Sequence, residues 1–480
     1  MKIISLLNGV SYELIQAGAG EEIAALTIDS RKVTAGSFFI CLKGLNSNGH
    51  DYINQAVASG AVAILLEDIP VELPENVTVI QVTNTRQAMA YIAANFYGNP
   101  AKKMRLIGVT GTNGKTTTTY FIEEILRNLG RKTGLIGTVG IKVGDKPLDI
   151  EFATSTTPDP IELHLIFEKM LSLGVTDVVM EVTSHALALY KMEGLSFEIG
   201  VFTNLTQDHL DFHGTMENYA LAKAQLFAQS KFAVVNTDDE YTQIMLKHHG
   251  SDPYLTYGLE KNADLKVANL EYLLDGSSFE LGGTKYKLPV AGKFNVYNIL
   301  AAIGVAQTLG CHIEGIKHAV ATLSGVPGRI QSVPNNLGAH ILVDYAHSPD
   351  GLTNIITSVR EFAKGKVITL FGCGGDRDKT KRPIMGEIVG RLSDYCIITS
   401  DNPRTEDPFE IIAQTEAGVK PTGTAYETCE NRRDAIFKGV KMLKPGDALI
   451  IAGKGHEDYQ EINGVKYPFS DYDTAMEALR

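Results

Sequence analysis

The sequence predicts an α/β protein of three domains, with a mostly parallel sheet that carries a phosphate-binding loop in the central one. Three observations lead there. At 480 residues the chain exceeds what a single hydrophobic core usually serves. From about residue 100 onward, apolar runs of strand length alternate with stretches of helical apolar spacing, the pattern of parallel strands joined by crossover helices. Finally, Gly108-Val-Thr-Gly-Thr-Asn-Gly-Lys-Thr-Thr-Thr-Thr119 stands between an apolar run and an amphipathic segment.

Residues 1–100 read as a small α/β unit. Runs 61–66 and 77–82 have strand character, 50–59 and 85–97 have helical spacing, and Tyr97-Gly-Asn-Pro100 is a turn-rich boundary. Asp29-Ser30-Arg31 follows a strand and precedes Gly36-Ser-Phe-Phe-Ile40; it reads equally as a capped turn or as a ligand-binding set.

In residues 101–326, Arg105–Thr110 reads as a buried strand. Phe121, Ile122, Ile125, Leu126 and Leu129 form a helical stripe closed by Gly130. The loop between them departs from the general phosphate-loop pattern, which wants glycine where Val109 stands, and fits the narrower G-x-T-G-T-x-G-K-T. Strand, glycine loop and helix N-terminus together cradle phosphates. Gly111, Thr112, Asn113 and Gly114 supply the loop, Lys115 the reach to the terminal phosphates and Thr116 a hydroxyl for Mg²⁺, so ATP is the expected ligand. Consecutive threonines such as Thr116 and Thr117 are poor helix formers, and their hydroxyls explain their presence.

Run 175–182 ends in Glu181-Val-Thr-Ser-His185, and run 199–203 leads into Asn204-Leu-Thr-Gln-Asp-His209. Ligands of open parallel sheets lie beyond the carboxyl ends of the strands, so the loop, Glu181 and His209 are expected to face one crevice. Mg²⁺·ATP chemistry needs an oxygen ligand from another strand, and Glu181 is the candidate. By periodicity Lys223 reads as a solvated helix lysine. A helix over 293–309 carries Asn295 and Asn298, which either cap it or read an adenine edge, and Ser324–Arg329 forms a hinge.

Residues 327–480 read as a third α/β unit with strands near 340–344, 366–371, 395–399 and 447–452. Each is followed by a polar loop: 344–350, 372–382, 400–404 and 453–459. Four such loops after four strands predict a binding face.

A net charge of −12 argues against nonspecific nucleic-acid binding. The five cysteines are scattered, with neither metal-ligand spacing nor a paired framework. Met1–Asn8 is too short for a signal peptide and no apolar run approaches membrane-spanning length, so a cytoplasmic location is expected.

Taken together, Asp29–Arg31, the 108–117 loop, Ser155-Thr-Thr-Pro158, Glu181–His185, Thr203–His209, Gly328-Arg-Ile-Gln331, Asp344-Tyr-Ala-His347, Gly374-Gly-Asp-Arg-Asp378, Asp401-Asn-Pro-Arg404 and Gly453-Lys-Gly-His-Glu457 resemble the Mur ligases, the ATP-dependent amide-forming family of peptidoglycan assembly. The resemblance covers nearly the whole chain. It implies an N-terminal domain for a UDP-sugar, a central ATPase and a Rossmann-like C-terminal domain that closes over the nucleotide. It also implies activation of the D-Glu γ-carboxylate of UDP-MurNAc-L-Ala-D-Glu as an acyl phosphate, attacked by an incoming amine.

By the same resemblance Thr116 and Glu181 hold Mg²⁺, His209 sits by a second metal and Lys223 is a carbamylated ligand. Asn295, Asn298, Arg329 and Asp344 fall at nucleotide positions, and Ser30, Ser155, Thr156, Thr157, Thr183 and Lys191 at UDP-sugar dipeptide positions. Lys191 stands where relatives often carry arginine; it keeps the charge and lacks the fork. Leu189, where relatives often carry glutamine, has no assigned role.

Arg404, in Asp401-Asn402-Pro403-Arg404, implies meso-diaminopimelate as the amine, because a guanidinium pairs in bidentate fashion with the carboxylate that L-lysine lacks. Arg377, Gly453 and Glu457 match further positions of that pocket, Glu457 taking the distal ammonium. A monomer is expected. The rivals are the same ligation with L-lysine, a folylpolyglutamate-synthase-like ligase, which Asp29–Arg31 speaks against, and a phosphate-loop ATPase switch, which has no use for the C-terminal loops.

Overall fold

Runs of β-branched and aromatic residues buried on both faces form the strands of this chain, and their order fixes where the polar loops meet. The computed structural model describes residues 1–20, 22–44, 47–148, 150, 156–273, 276–290 and 292–480. The described residues divide into two compact units, one of Met1–Tyr257, Lys261–Asp264 and Gly304–Leu309, the other of Gly258–Glu260, Leu265–Ile303 and Gly310–Arg480.

The first unit holds two sheets. In the N-terminal one, β1 (Glu13–Gln16), β2 (Ala25–Thr27), β3 (Ser37–Ile40), β4 (Ala61–Leu66) and β5 (Thr78–Gln81) are ordered β1-β5-β4-β3-β2. Only β1 runs antiparallel to its neighbour. The helix expected over 50–59 is a 3-10 turn, Gly49–Tyr52, followed by a helix Ile53–Ala58; the Asn48 side chain caps the tighter turn by accepting from His50 N.

The larger sheet contains β6 (Arg105–Thr110), β7 (Thr133–Gly137), β8 (Gly140–Val143), β9 (Lys146–Pro147), β10 (Asp177–Glu181), β11 (Phe197–Phe202), β12 (Ser230–Asn236) and β13 (Tyr254–Gly258). Their order is β13-β12-β11-β6-β10-β7-β8-β9, parallel from β13 through β7 and antiparallel beyond. Strand β6 therefore lies between two later strands, a topological switch point at whose carboxyl end a crevice opens. The opposite end is pinned by the fully buried Asp177, which accepts from Arg105 Nε at 2.6 Å and Arg131 Nη1 at 2.9 Å.

In the second unit, β14 (Leu265–Leu273), β15 (Gly276–Leu281) and β16 (Thr284–Leu288) form an antiparallel meander. Then β17 (Gln331–Ser332), β18 (His340–Asp344), β19 (Val367–Phe371), β20 (Tyr395–Thr399), β21 (Tyr426–Cys429) and β22 (Ala448–Ala452) are ordered β17-β18-β22-β19-β20-β21, with only β17 antiparallel. The four predicted strands of this region are all present, and β18, β22, β19 and β20 stand side by side, so their four polar loops leave one sheet edge. A hairpin, β23 (Tyr459–Ile462) and β24 (Val465–Pro468), completes the unit.

Beneath that edge Arg432 is buried against Asp471, Nε to Oδ1 at 2.7 Å, and also donates to the carbonyls of Ser400 and Ala452 at the ends of β20 and β22. Removing one partner of a buried pair strands the other charge. Asp471→Ala is expected to lower stability by about 3–5 kcal/mol, read as a lower midpoint in urea unfolding.

Candidate active site

The helix Lys115–Asn128 begins at Gly114, whose φ of +84° ends the loop that follows β6. Gly111 has φ +153°, and a Cβ there would lie 1.9 Å from Thr203 Oγ1, so only glycine lets the loop pack on the end of β11. Asn204 stitches it down: Thr112 N donates to its carbonyl at 2.8 Å and Asn113 N to its Oδ1 at 2.9 Å. Two N–H groups of the expected phosphate cradle are thus held by Asn204, and phosphate contact at those groups requires exchanging these bonds. Thr117 is buried in the first turn of the helix.

Two lysines converge on the loop. Lys115 Nζ donates to the carbonyls of Gly111 and Thr112, both at 2.9 Å, and Lys223 Nζ donates to the same Gly111 carbonyl at 2.8 Å. Lys223 is 1% exposed, so the solvated-lysine reading is overturned: its helix, Met216–Ala228, buries that face against the sheet. Burial, with the Lys115 ammonium nearby, pushes the Lys223 amine well below the ordinary lysine range.

Glu181, 1% exposed at the end of β10, accepts from Thr116 Oγ1 at 3.1 Å, Thr138 N at 2.8 Å and Thr138 Oγ1 at 3.2 Å. No ion pair to it occurs among the described residues. A buried carboxylate surrounded by hydroxyls is a hard-oxygen donor set of the kind Mg²⁺ takes. Among the described residues no three His, Cys, Asp or Glu side chains are grouped about a cation position.

His209 is half-exposed with φ +52°. Its ring lies 4.7 Å from that of His185, which is 5.4 Å from His213. Burial foremost, then the charge of His185 and Lys223, pushes His213 down to about 4.

The dipeptide candidates of the first unit adjoin Glu181 in part. Thr156 Oγ1 lies 3.2 Å from Thr138 Oγ1; Thr157 Oγ1 donates to the Glu181 carbonyl at 3.0 Å and to Thr183 Oγ1 at 3.3 Å. Lys191 is committed to Asp159 at 3.0 Å. Ser30 is on the N-terminal sheet's side, bonded to Gln55 Oε1 at 3.0 Å, where Asp29 caps the turn by accepting from Arg31 N. Ser155 lies outside the described residues.

In the second unit Asn402 is the hub. Its Oδ1 accepts from Lys454 Nζ and Glu461 N, both at 2.9 Å, and its Nδ2 donates to Glu457 Oε2 at 2.8 Å. Lys454, 0% exposed, also pairs with Glu457 at 3.1 Å. Arg404, beyond Pro403, donates from Nη1 to the Gly375 carbonyl at 2.7 Å. At Gly453, φ +119°, a Cβ would come within 2.5 Å of Asp401 Oδ2. Arg377 is exposed, its Nη1 on the Asp376 carbonyl at 3.1 Å.

The nucleotide candidates of this unit are Asn295 and Asn298, buried on the helix Lys293–Thr308, with Arg329 and Asp344. Arg329 lies 5.0 Å over the Tyr345 ring, and Asp344 accepts from Ile330 N and Ala346 N, both at 2.8 Å, with burial raising its carboxyl.

Family models for the Mur ligase family catalytic domain, the Mur ligase middle domain and the Mur ligase glutamate ligase domain match residues 22–97, 109–306 and 328–455. The chain belongs to the Mur ligase family. Among its relatives, UDP-N-acetylmuramoyl-L-alanyl-D-glutamate–2,6-diaminopimelate ligase 1 of Clostridium acetobutylicum is 46% identical over 100% of this chain and 99% of its own. The ligase of the same description from Geobacillus thermodenitrificans is 44% identical at the same coverage. A solved structure of such a ligase superimposes with a TM-score of 0.71 at 34% identity, covering 97% of each chain.

The clusters of this Mur ligase also include residues that sequence reasoning left without roles. Asn204 and Lys454 stood inside motifs already singled out, and Thr138 follows β7, whose neighbour is β10, so the strand-end rule reaches it. Glu461 carried no signal in the sequence.

The depressed Lys223 amine makes folding less favourable below the ordinary lysine range, because the unfolded chain binds the proton more tightly. Lys223→Met is expected to raise Tm at pH 7, and the gain should shrink as pH rises toward that range, where the unfolded lysine is neutral too; calorimetry across pH checks the sign.

Proposed function

We propose that this chain joins meso-diaminopimelate to the D-Glu γ-carboxylate of UDP-MurNAc-L-Ala-D-Glu with ATP, through an acyl phosphate. The observation that carries the acceptor choice is the strand-end cluster in which Asn402 ties Glu457 and Lys454 to the loop presenting Arg404. An arginine and a carboxylate on adjoining loops suit a distal centre bearing both a carboxylate and an ammonium. Arg377, Asp401, Asn402, Pro403, Arg404, Gly453 and Glu457 form this pocket in the proposal.

Gly111 to Thr117 cradle the polyphosphate, and Lys115 turns from its loop carbonyls to the γ-phosphate; Asn295, Asn298, Arg329 and Asp344 serve the rest of the nucleotide. The substrate carboxylate then attacks the γ-phosphorus as the bond to ADP breaks. The diaminopimelate amine attacks the acyl carbon, loses a proton and expels phosphate. Ser30, Ser155, Thr156, Thr157, Thr183 and Lys191 orient the UDP-sugar dipeptide so that both displacements occur without diffusion. Thr116, Glu181, His209 and a carbamylated Lys223 would hold Mg²⁺, which when bound neutralises charge on the phosphate oxygens. Burial supports the carbamylation: a neutral amine is the form that adds CO₂, and the product is an anion where a cation would repel the metal.

The proposed domains are 1–100, 101–326 and 327–480, supported by family-model matches over 22–97, 109–306 and 328–455. The enzyme is proposed to act as a cytoplasmic monomer; no helix among the described residues is long and apolar enough to cross a membrane.

The test is phosphate release by the purified protein with Mg²⁺·ATP and UDP-MurNAc-L-Ala-D-Glu, with meso-diaminopimelate or L-lysine in parallel. Release with diaminopimelate and a tripeptide product by mass is expected; release with lysine alone overturns the acceptor, and release without acceptor or sugar nucleotide overturns the ligase. Arg404→Ala should lower kcat/KM for diaminopimelate at least about thirtyfold, since losing a partner of a paired charge costs about 2–5 kcal/mol.

A further inference from the structure

The guanidinium proposed to receive the acceptor's distal carboxylate already has a carboxylate beside it. Arg404 Nε lies 3.3 Å from Glu461 Oε2, with the two side chains 20% and 25% exposed, so the pair is only partly screened by water. The backbone enforces the meeting. Arg404 N donates to the Glu461 carbonyl at 3.1 Å, Asn463 N donates to the Arg404 carbonyl at 2.7 Å, and Arg404 holds φ +52°. Glu461 N in turn donates to Asn402 Oδ1 at 2.9 Å. Hairpin β23–β24 thereby forms one wall of the pocket.

We infer that Glu461 is a specificity-determining residue that stands in for the acceptor's distal carboxylate at Arg404. The inference rests on the acceptor reading above. Two cations of this cluster have carboxylate partners without a ligand: Lys454 has Glu457 and Arg404 has Glu461. A diaminopimelate carboxylate entering at Arg404 places a second anion on one guanidinium, and like charges at that range oppose each other. L-Lysine brings no carboxylate, and with Glu461 present its binding leaves Arg404 compensated. Glu461 therefore weakens diaminopimelate binding and softens the penalty against lysine. Its removal sharpens the choice.

The experiment compares the parent chain with Glu461→Gln and Glu461→Ala at saturating Mg²⁺·ATP and UDP-MurNAc-L-Ala-D-Glu. The KM for diaminopimelate is expected to fall about three- to tenfold in both variants, with the difference narrowing at high salt. The preference for diaminopimelate over L-lysine in kcat/KM is expected to rise by at least the same factor. A purely structural role for Glu461 would raise KM or lower kcat for every substrate. An unchanged or raised KM for diaminopimelate in a folded variant overturns the inference while the parent's own turnover keeps the acceptor reading. A parent inactive with diaminopimelate overturns that reading and the inference with it.

Discussion

Glu181 is a carboxylate held out of water at the end of β10, and it has hydroxyls and one N–H where most buried carboxylates have a cation. Burying a charge is costly unless hydrogen bonds or a counter-ion offset it, and here the first turn of the Lys115–Asn128 helix and the loop after β7 both bend to supply them. Thr116 arrives from one side and Thr138 from the other, and Thr156 joins through Thr138. One unneutralised carboxylate thus aligns the phosphate loop, two strand ends and the 156–157 segment. A carboxylate so held is an oxygen donor of the kind a divalent cation takes.

The cationic side of the same crevice is built on the opposite principle. Two amines meet at the Gly111 carbonyl, one from the first residue of the helix that follows the glycine loop and one from the interior of a packed helix. Lys115 is positioned for a mobile anion. Lys223 is enclosed, and its surroundings disfavour the ammonium form. Chemically similar side chains are therefore held in different surroundings, one part-exposed and one enclosed, and mainly burial separates them.

The second unit repeats the logic of strand-end convergence with a different chemistry. Its loops after β18, β19, β20 and β22 share an edge because the strand order brings non-consecutive strands together, and the buried Arg432–Asp471 pair ties two of those ends. The polar groups there are cross-linked side chain to side chain through Asn402. Such a network fixes geometry well because each member would lose a bond if it moved.

Much of this was legible in residue order. The glycine loop before a helix, the Glu181 and Asn204 stretches after strand runs and the four polar loops of the last unit are local patterns, and local patterns survive without coordinates because strand and helix periodicities dictate which residues end an element. The sequence therefore determined the α/β class, the phosphate loop and the candidate lists. Burial and pairing across elements are not local. Lys223 has the spacing of a surface lysine and is enclosed only because its helix packs on β6 and β11, and Lys454 is hidden by loops from other strands. Glu461 meets Arg404 more than fifty residues away through a hairpin register that no periodicity encodes. Tertiary structure alone decided those, because a side chain's charge state and partner depend on what the fold brings within a few ångströms of it.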